Sequence, residues 1–331
     1  MLSWLISGPF MYLAILVFIL VTARKVWSIA QMPRHLRWDL YPIAHDGPQG
    51  SPYQEVDFWQ KPRRVSLAHE LAEMAEEILL LKRTFLYNRK MWFFSFPMHF
   101  AFYLIIAWLV LLVAGAALEL ATGLRISGNS TVGWAMLFNL ATVAAGVAGL
   151  VLGVFGTAGL LWLRHTDDNL KDFSAPITYF NLYLLLALFG VGLAAWWTND
   201  SSFELARAYV RSLLSFSPMA LPHPLMVLEA LLFGLFLIYL PFSRMLHFAA
   251  KYFFYHNIMW DDEPVSRGST LEKSIAGYLH YQIEWSAQHI MPNGSWLQQA
   301  TANPTAEVKK ANETKSQDKG FGQTGGHTFS A

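Results

Sequence analysis

Five apolar runs, each long enough to cross a lipid bilayer, leave this chain few folds to choose from. They cover 5–23, 91 to about 121, 131–163, 176–197 and roughly 221–248. A helix rises about 1.5 Å per residue, so about 20 residues traverse a hydrocarbon core about 30 Å thick. Inside lipid the backbone must satisfy its own hydrogen bonds, and a run of this length does so as a helix. The pattern predicts an all-α membrane protein, a bundle of five transmembrane helices. Pro241 falls near the end of the fifth run, where a kink or a neighbouring group absorbs the lost hydrogen bond.

Composition agrees. Of 331 residues, 54% are hydrophobic and 14% charged, against about 25% charged in soluble domains. The 24 Phe, 13 Trp and 13 Tyr suit aromatic belts at the two interfaces. There is no cysteine. That excludes disulfides, Cys-ligated iron–sulfur clusters and thiolate catalysis in this chain, so any electrons it moves travel through other groups or to a partner. The net charge is +1, and nothing points to nucleic acid. The first run starts at residue 5 with no basic region before it, which argues against a cleaved signal peptide.

The basic residues set the expected orientation. Residues 24–90, the 164–175 loop and the segment from Arg244 onward hold 21 Lys and Arg, against 3 (Arg125, Arg207, Arg211) on the other side. The positive-inside rule then places the N-terminus outside and the C-terminus in the cytoplasm, as a multi-pass protein of the cell inner (cytoplasmic) membrane. The domains expected are a membrane domain over 1–257 with a cytoplasmic loop at 24–90, a partner-docking tail at 258–300, and a flexible extension at 301–331. Within the loop, LAHELAEMAEEILLLKR, with His69 to Arg83 as its core, reads as an amphipathic helix on the membrane or under a partner. On the outside, 203–216 reads as a short interfacial helix. Gly146, Gly149, Gly153, Gly156 and Gly159 in the third run point to close helix packing.

Ionisable groups at membrane depth are costly and tend to be functional. His99 lies eight residues into the second run, about 12 Å of rise past Met91. His247 lies near the same end of the fifth. Facing each other, they suit the two axial positions of one b-type haem, a low-spin arrangement for electron transfer. Arg244, a turn before His247, is open to pairing with a haem propionate or to snorkelling toward headgroups. Glu229 stands 18 residues before His247, five full turns, which puts both on one helix face about 27 Å apart. It is a candidate proton acceptor from a quinol, or a neutral packing carboxyl. Glu119 has the same two readings. His223, flanked by Pro222 and Pro224, is a helix-start feature or part of a quinol pocket. His165 is a loop residue or a haem ligand with His69 as a distant partner.

PFSRMLH (241–247) resembles the signature closing the last span of the nitrate reductase gamma subunit family, and MHFAFYLIIAWLV (98–110) resembles its second span. That resemblance, over residues 1 to about 257, implies a five-span cytochrome b with an outside N-terminus. It would oxidise quinol and feed a cytoplasmic iron–sulfur partner, with His99 and His247 on the haem nearer the cytoplasm. In that family each helix carries a second histidine for a distal haem. Here those positions are Leu109 and Glu229, which implies one haem b, or two if other residues such as His223 rebuild the second site. The tail, YFFYHNIMWDDEPVSRGS with AGYLHYQIEWSAQHI and GSWLQQATANP, resembles the membrane haem b subunit of sulfite-reduction-associated complexes, also described as heterodisulfide-reductase-like menaquinol oxidoreductases. It implies menaquinone or menaquinol as substrate and a cytoplasmic heterodisulfide-reductase-like partner with 4Fe-4S clusters. A second membrane subunit, a periplasmic multihaem cytochrome c and a ferredoxin-like subunit complete the implied set, in dissimilatory sulfur metabolism.

The expectation is therefore an electron-transfer subunit of a quinone-linked oxidoreductase complex, with no complete active site in this chain alone. The alternative is a haem-free structural anchor. A transporter is disfavoured by the lack of an inverted repeat or a helix broken at the midplane.

Overall fold

The computed structural model describes residues 1–32, 66–260, 267–285, 290 and 293–301. In chain order the helices are α1 (Leu2–Ala30), α2 (Leu67–Leu79), α3 (Lys82–Tyr87), α4 (Arg89–Thr122), α5 (Gly133–Thr166), α6 (Asp168–Asp172), α7 (Pro176–Asn199), α8 (Glu204–Leu214), α9 (Pro224–Tyr239), α10 (His247–Phe254), α11 (Thr270–Tyr278) and α12 (Trp296–Thr301). Five of them, α1, α4, α5, α7 and α9 with its 3₁₀ extension to Phe242, are long and apolar enough to cross a membrane. The chain is thus an all-α, multi-span membrane protein. The five spans fall where the apolar runs fall, with ends shifted by a few residues. Most of the loop after α1, much of the tail and the extension from 302 lie outside the described residues.

Two compact units divide the chain: Met1–Ser28 with Leu67–Ala250, and Ile29–Ser66 with Lys251–Ala331. In the first, α4 packs on α5, α5 on α7, α7 on α9, and α9 on the N-terminal turns of α1, while α8 lies against α4. The α4–α5 contact is the most extensive, and its cause is the glycine stripe. A side chain at Gly156 would put its Cβ 2.5 Å from the Met98 backbone nitrogen, Gly149 and Gly159 closely meet Ile105 and Phe94 of α4, and Gly153 turns instead to Phe189 of α7. Small residues let two helices approach until backbone meets backbone, as expected from the sequence. The core around this seam joins Ala101, Leu112, Leu150, Leu185, Phe189 and Phe236.

Local signals start and stop the spans. The Asn88 side chain accepts from Met91 N–H (3.0 Å) to cap α4, and Gly123, at φ 71°, ends it. Proline opens both α7 and α9, where a missing N–H costs nothing.

The fifth span corrects the sequence reading. It is not one helix through Phe248. After Tyr239 the chain tightens into a 3₁₀ turn, Leu240–Phe242, becomes extended at Ser243 (φ −98°, ψ 168°), turns again over Arg244–Leu246, and only then enters α10. Pro241 supplies no N–H, and Ser243 completes the break: its hydroxyl donates to Leu240 O (2.9 Å) and accepts from Met245 N–H (3.1 Å). Counting whole turns from Glu229 to His247 therefore fails, and the two do not share a helix face. The amphipathic segment also stops sooner than expected. α2 ends at Leu79, and Leu81, in the left-handed region (φ 53°), separates it from α3.

In the second unit, Ser269 caps α11 through Glu272 N–H (3.1 Å), and Ile283 N–H donates to Gly294 O (2.9 Å) beside the Gln282–Ser295 bridge. Tyr255 stacks on Trp260, with ring centroids 4.6 Å apart.

Candidate functional site

His99 sits ten residues into α4, and His247 is the first residue of α10. The structure brings them together: their ring centroids are 6.3 Å apart with planes at 66°. Each ring is fixed by the same device. His99 Nδ1 lies 2.8 Å from Ser95 O, and His247 Nδ1 lies 3.1 Å from Arg244 O. A carbonyl only accepts, so Nδ1 is the donor in both contacts. Metal-bound histidines are held this way, their second N–H donated to a carbonyl or carboxylate.

The donor set fits a bis-histidine haem. A metal–imidazole bond of about 2.0 Å, with about 1.1 Å from nitrogen to ring centre, puts two rings on opposite sides of one ion about 6 Å apart. The observed separation matches. His99 is half-buried and His247 exposed. Two features set the separation. Gly156 holds α4 at Met98, next to His99, and the Ser243 break turns the chain so that His247 starts a new helix. Above the pair, Phe102 of α4 stacks on Phe236 of α9 at 6.4 Å. Alongside it, Trp92, Phe96 and Phe100 stack in sequence at 4.9 and 5.7 Å.

The remaining candidates separate. Arg244 is exposed, and its side chain makes no ion pair among the described residues; what it gives His247 is its backbone carbonyl. Glu229 is half-buried in α9, makes no hydrogen bond among the described residues, and lies against α7, where a Cβ at Gly192 would stand 3.1 Å from its Oε1. His223 occupies the N-cap position of α9 without a side-chain cap bond, and no hydrogen bond joins it to Glu229. His165 Nδ1 meets Leu161 O (2.7 Å), and its ring packs edge-on to Tyr179 at 5.0 Å. Leu109 opens on a shallow apolar groove with Val110, Val113, Ala114 and Ala117, which offers no donor for a distal haem.

Sequence reasoning missed a polar network at the opposite end of the bundle. α8 is not merely interfacial. Arg207, 1% exposed, donates to Ile126 O and, at 3.0 Å, to Asn139 Oδ1 of α5. Burial lowers its pKa, and neighbouring Glu119, Glu204 and Asp200 oppose that shift. Glu119 is structural: it pairs with Arg211 (2.8 Å) and accepts Ile126 N–H (3.0 Å). Asp200 accepts from Ala206 N–H (2.7 Å) at the start of α8, and burial raises its pKa. A signal was present, since Arg207 and Arg211 lie four apart on one helix face, toward Glu119 and Asn139.

At the His99 end, Lys90 meets Asp167 at 3.0 Å and holds that carboxyl below its usual range. Among the described residues no three His, Cys, Asp or Glu side chains converge. A protein-only metal cage has no candidate there, whereas a haem brings its own equatorial ligands and asks for axial ones alone. No family model, no curated protein and no solved structure matches the chain.

Proposed function

We propose that the chain is the membrane subunit of a larger redox assembly and that His99 and His247 hold one b-type haem. The observation that supports this reading is the pair itself, 6.3 Å apart with both Nδ1 atoms against backbone carbonyls. When bound, the haem supplies one-electron redox chemistry, at a potential tuned by its axial ligands and apolar surroundings. The chain's own part is to set both rings against backbone carbonyls before the ligand arrives and to line that end of the bundle with aromatic side chains. Arg244, exposed and without an ionic partner among the described residues, is available to a propionate. Glu229, beside Gly192 and without a hydrogen bond among the described residues, is the group in α9 able to take a proton from a quinol, with His223 at the start of the same helix. The tail's resemblance to the membrane haem b subunit of sulfite-reduction-associated complexes supports exchange of electrons with the menaquinone/menaquinol pool. The same tail resemblance supports an iron–sulfur, heterodisulfide-reductase-like partner on the cytoplasmic side, with a second membrane subunit and periplasmic multihaem cytochrome c and ferredoxin-like subunits. The basic residues, 21 against 3, support an outside N-terminus, a cytoplasmic C-terminus and the inner membrane.

A second reading asks less of the chain: a haem-free membrane anchor for the same assembly. It is favoured by the exposure of His247, by Leu109 and Glu229 standing where distal ligands are expected, and by the lack of any converging group of three ligands among the described residues. A pyridine haemochrome assay on the complex purified in mild detergent separates the two. About one haem b per chain supports the first, and none leaves the anchor. Reduction of that haem by a menaquinol analogue tests the quinone link.

A further inference from the structure

α2 is built inside out. Its turned-in face is acidic, with Glu70, Glu73 and Glu77 at 7%, 7% and 8% exposure, while Leu67, Leu71 and Leu79 are 66%, 57% and 50% exposed. Ala75 continues the exposed stripe, so an i, i+4 row of Leu, Leu, Ala and Leu faces outward. Lys82 folds back from α3 onto Glu73 (2.7 Å) and Glu76 (2.8 Å), and Glu77 accepts Arg83 N–H (2.9 Å). Three of its carboxylates, Glu73, Glu76 and Glu77, are therefore tied to the segment that follows α2. In water the arrangement would be the reverse, since each exposed leucine forgoes about 1.5–3 kcal/mol of burial.

The depth of α2 says what covers the stripe. Its last turn is hooked to α4 by two bonds: Trp92 Nε1–H donates to Leu80 O (2.8 Å), and the Tyr103 hydroxyl donates to Ile78 O. Trp92 stands at the start of the apolar span beside Phe85, and Arg89 lies over that Phe85 ring at 4.7 Å, an interfacial belt. Tyr103 lies about 18 Å of helix rise past Met91, and a phenol reaching back about 6 Å still leaves its hydroxyl about 12 Å inside. Ile78 therefore meets its donor at hydrocarbon depth. The adjoining exposed residues, Leu86 (57%), Phe93 (56%) and Phe100 (40%), are of the same apolar kind.

We propose that α2 is embedded in the leaflet at the His99 end, with Leu67, Leu71, Ala75 and Leu79 facing lipid acyl chains. Tyr103 is four residues from His99, so this helix braces the stripe of α4 that carries the candidate ligand. The inference does not depend on a haem being bound there.

The absence of cysteine makes the test direct. Leu71→Cys and Ala75→Cys are spin-labelled in the full chain, reconstituted in phosphatidylethanolamine–phosphatidylglycerol vesicles. Leu140→Cys, 60% exposed on α5, serves as the lipid reference, and Asn129→Cys, in the α4–α5 loop, as the aqueous one. Embedding gives an oxygen-to-nickel-chelate accessibility ratio at Leu71 and Ala75 close to that at Leu140 and several-fold above that at Asn129. Nickel accessibility like that at Asn129 overturns the proposal in favour of a water-facing helix. Labels immobilised and shielded from both reagents overturn it in favour of a protein partner.

Discussion

A polar side chain is defined by what it is tied to, and the two ends of this bundle use opposite ties. At one end His99 and His247 each set one ring nitrogen against a backbone carbonyl. At the other, Arg207 spends its guanidinium on Ile126 O and Asn139 Oδ1 and serves packing alone. Arg207→Leu leaves two buried acceptors without a donor, at about 1–3 kcal/mol each. The variant is expected to unfold at a visibly lower SDS fraction in mixed micelles, and Arg207→Lys, which lacks the planar fork, to recover only part of the loss. Asp200 yields a pH dependence. Burial raises its pKa in the fold, so the folded chain binds the extra proton in the window between the unfolded and folded values. Its contribution is present below the unfolded value and is lost as pH rises through the folded one. Asp200→Asn keeps an acceptor for Ala206 N–H and loses the titration. Its melting temperature, measured relative to the parent chain, is expected to rise with pH across that window. His99 and His247 were legible in the sequence as polar groups at membrane depth. Arg207 was counted there only as a charge, because burial of a guanidinium depends on Asn139, 68 residues away.

At the scale of elements, the seam between α4 and α5 places the candidate site. Gly156→Val forces a side chain into the Met98 backbone, one residue from His99, whereas Gly133→Ala meets nothing within 4 Å. The first is expected to cost at least half of the bound haem measured per chain without altering a ligand, and the second to leave it unchanged. The glycine stripe was readable from spacing, and so were the five spans, because apolar length decides both in lipid. The end of the fifth span was not. Pro241 signalled a kink, but only Ser243, bonding both forward and back, ends the helix and gives His247 a start of its own. α2 was legible as amphipathic. Which face would be buried was not, since hydropathy alone cannot separate a helix turned toward protein from one turned toward lipid.

At the scale of the whole molecule, the Lys and Arg of the sequence divide 21 against 3 between the two sides that the spans define. Single-cysteine labelling checks the orientation proposed from them. Asn129→Cys is expected to react with an impermeant maleimide on intact cells, and Lys171→Cys only after permeabilisation; the reverse pattern inverts the topology. The central claim is that α4 and α10 present one pair of axial ligands. The most direct measurement is haem b per chain, by pyridine haemochrome, in the parent complex and in His99→Ala, His247→Ala and His165→Ala. The account expects about one haem in the parent and in His165→Ala, and none in either variant of the pair. Haem retained in both His99→Ala and His247→Ala, or absent from the parent complex, would contradict it.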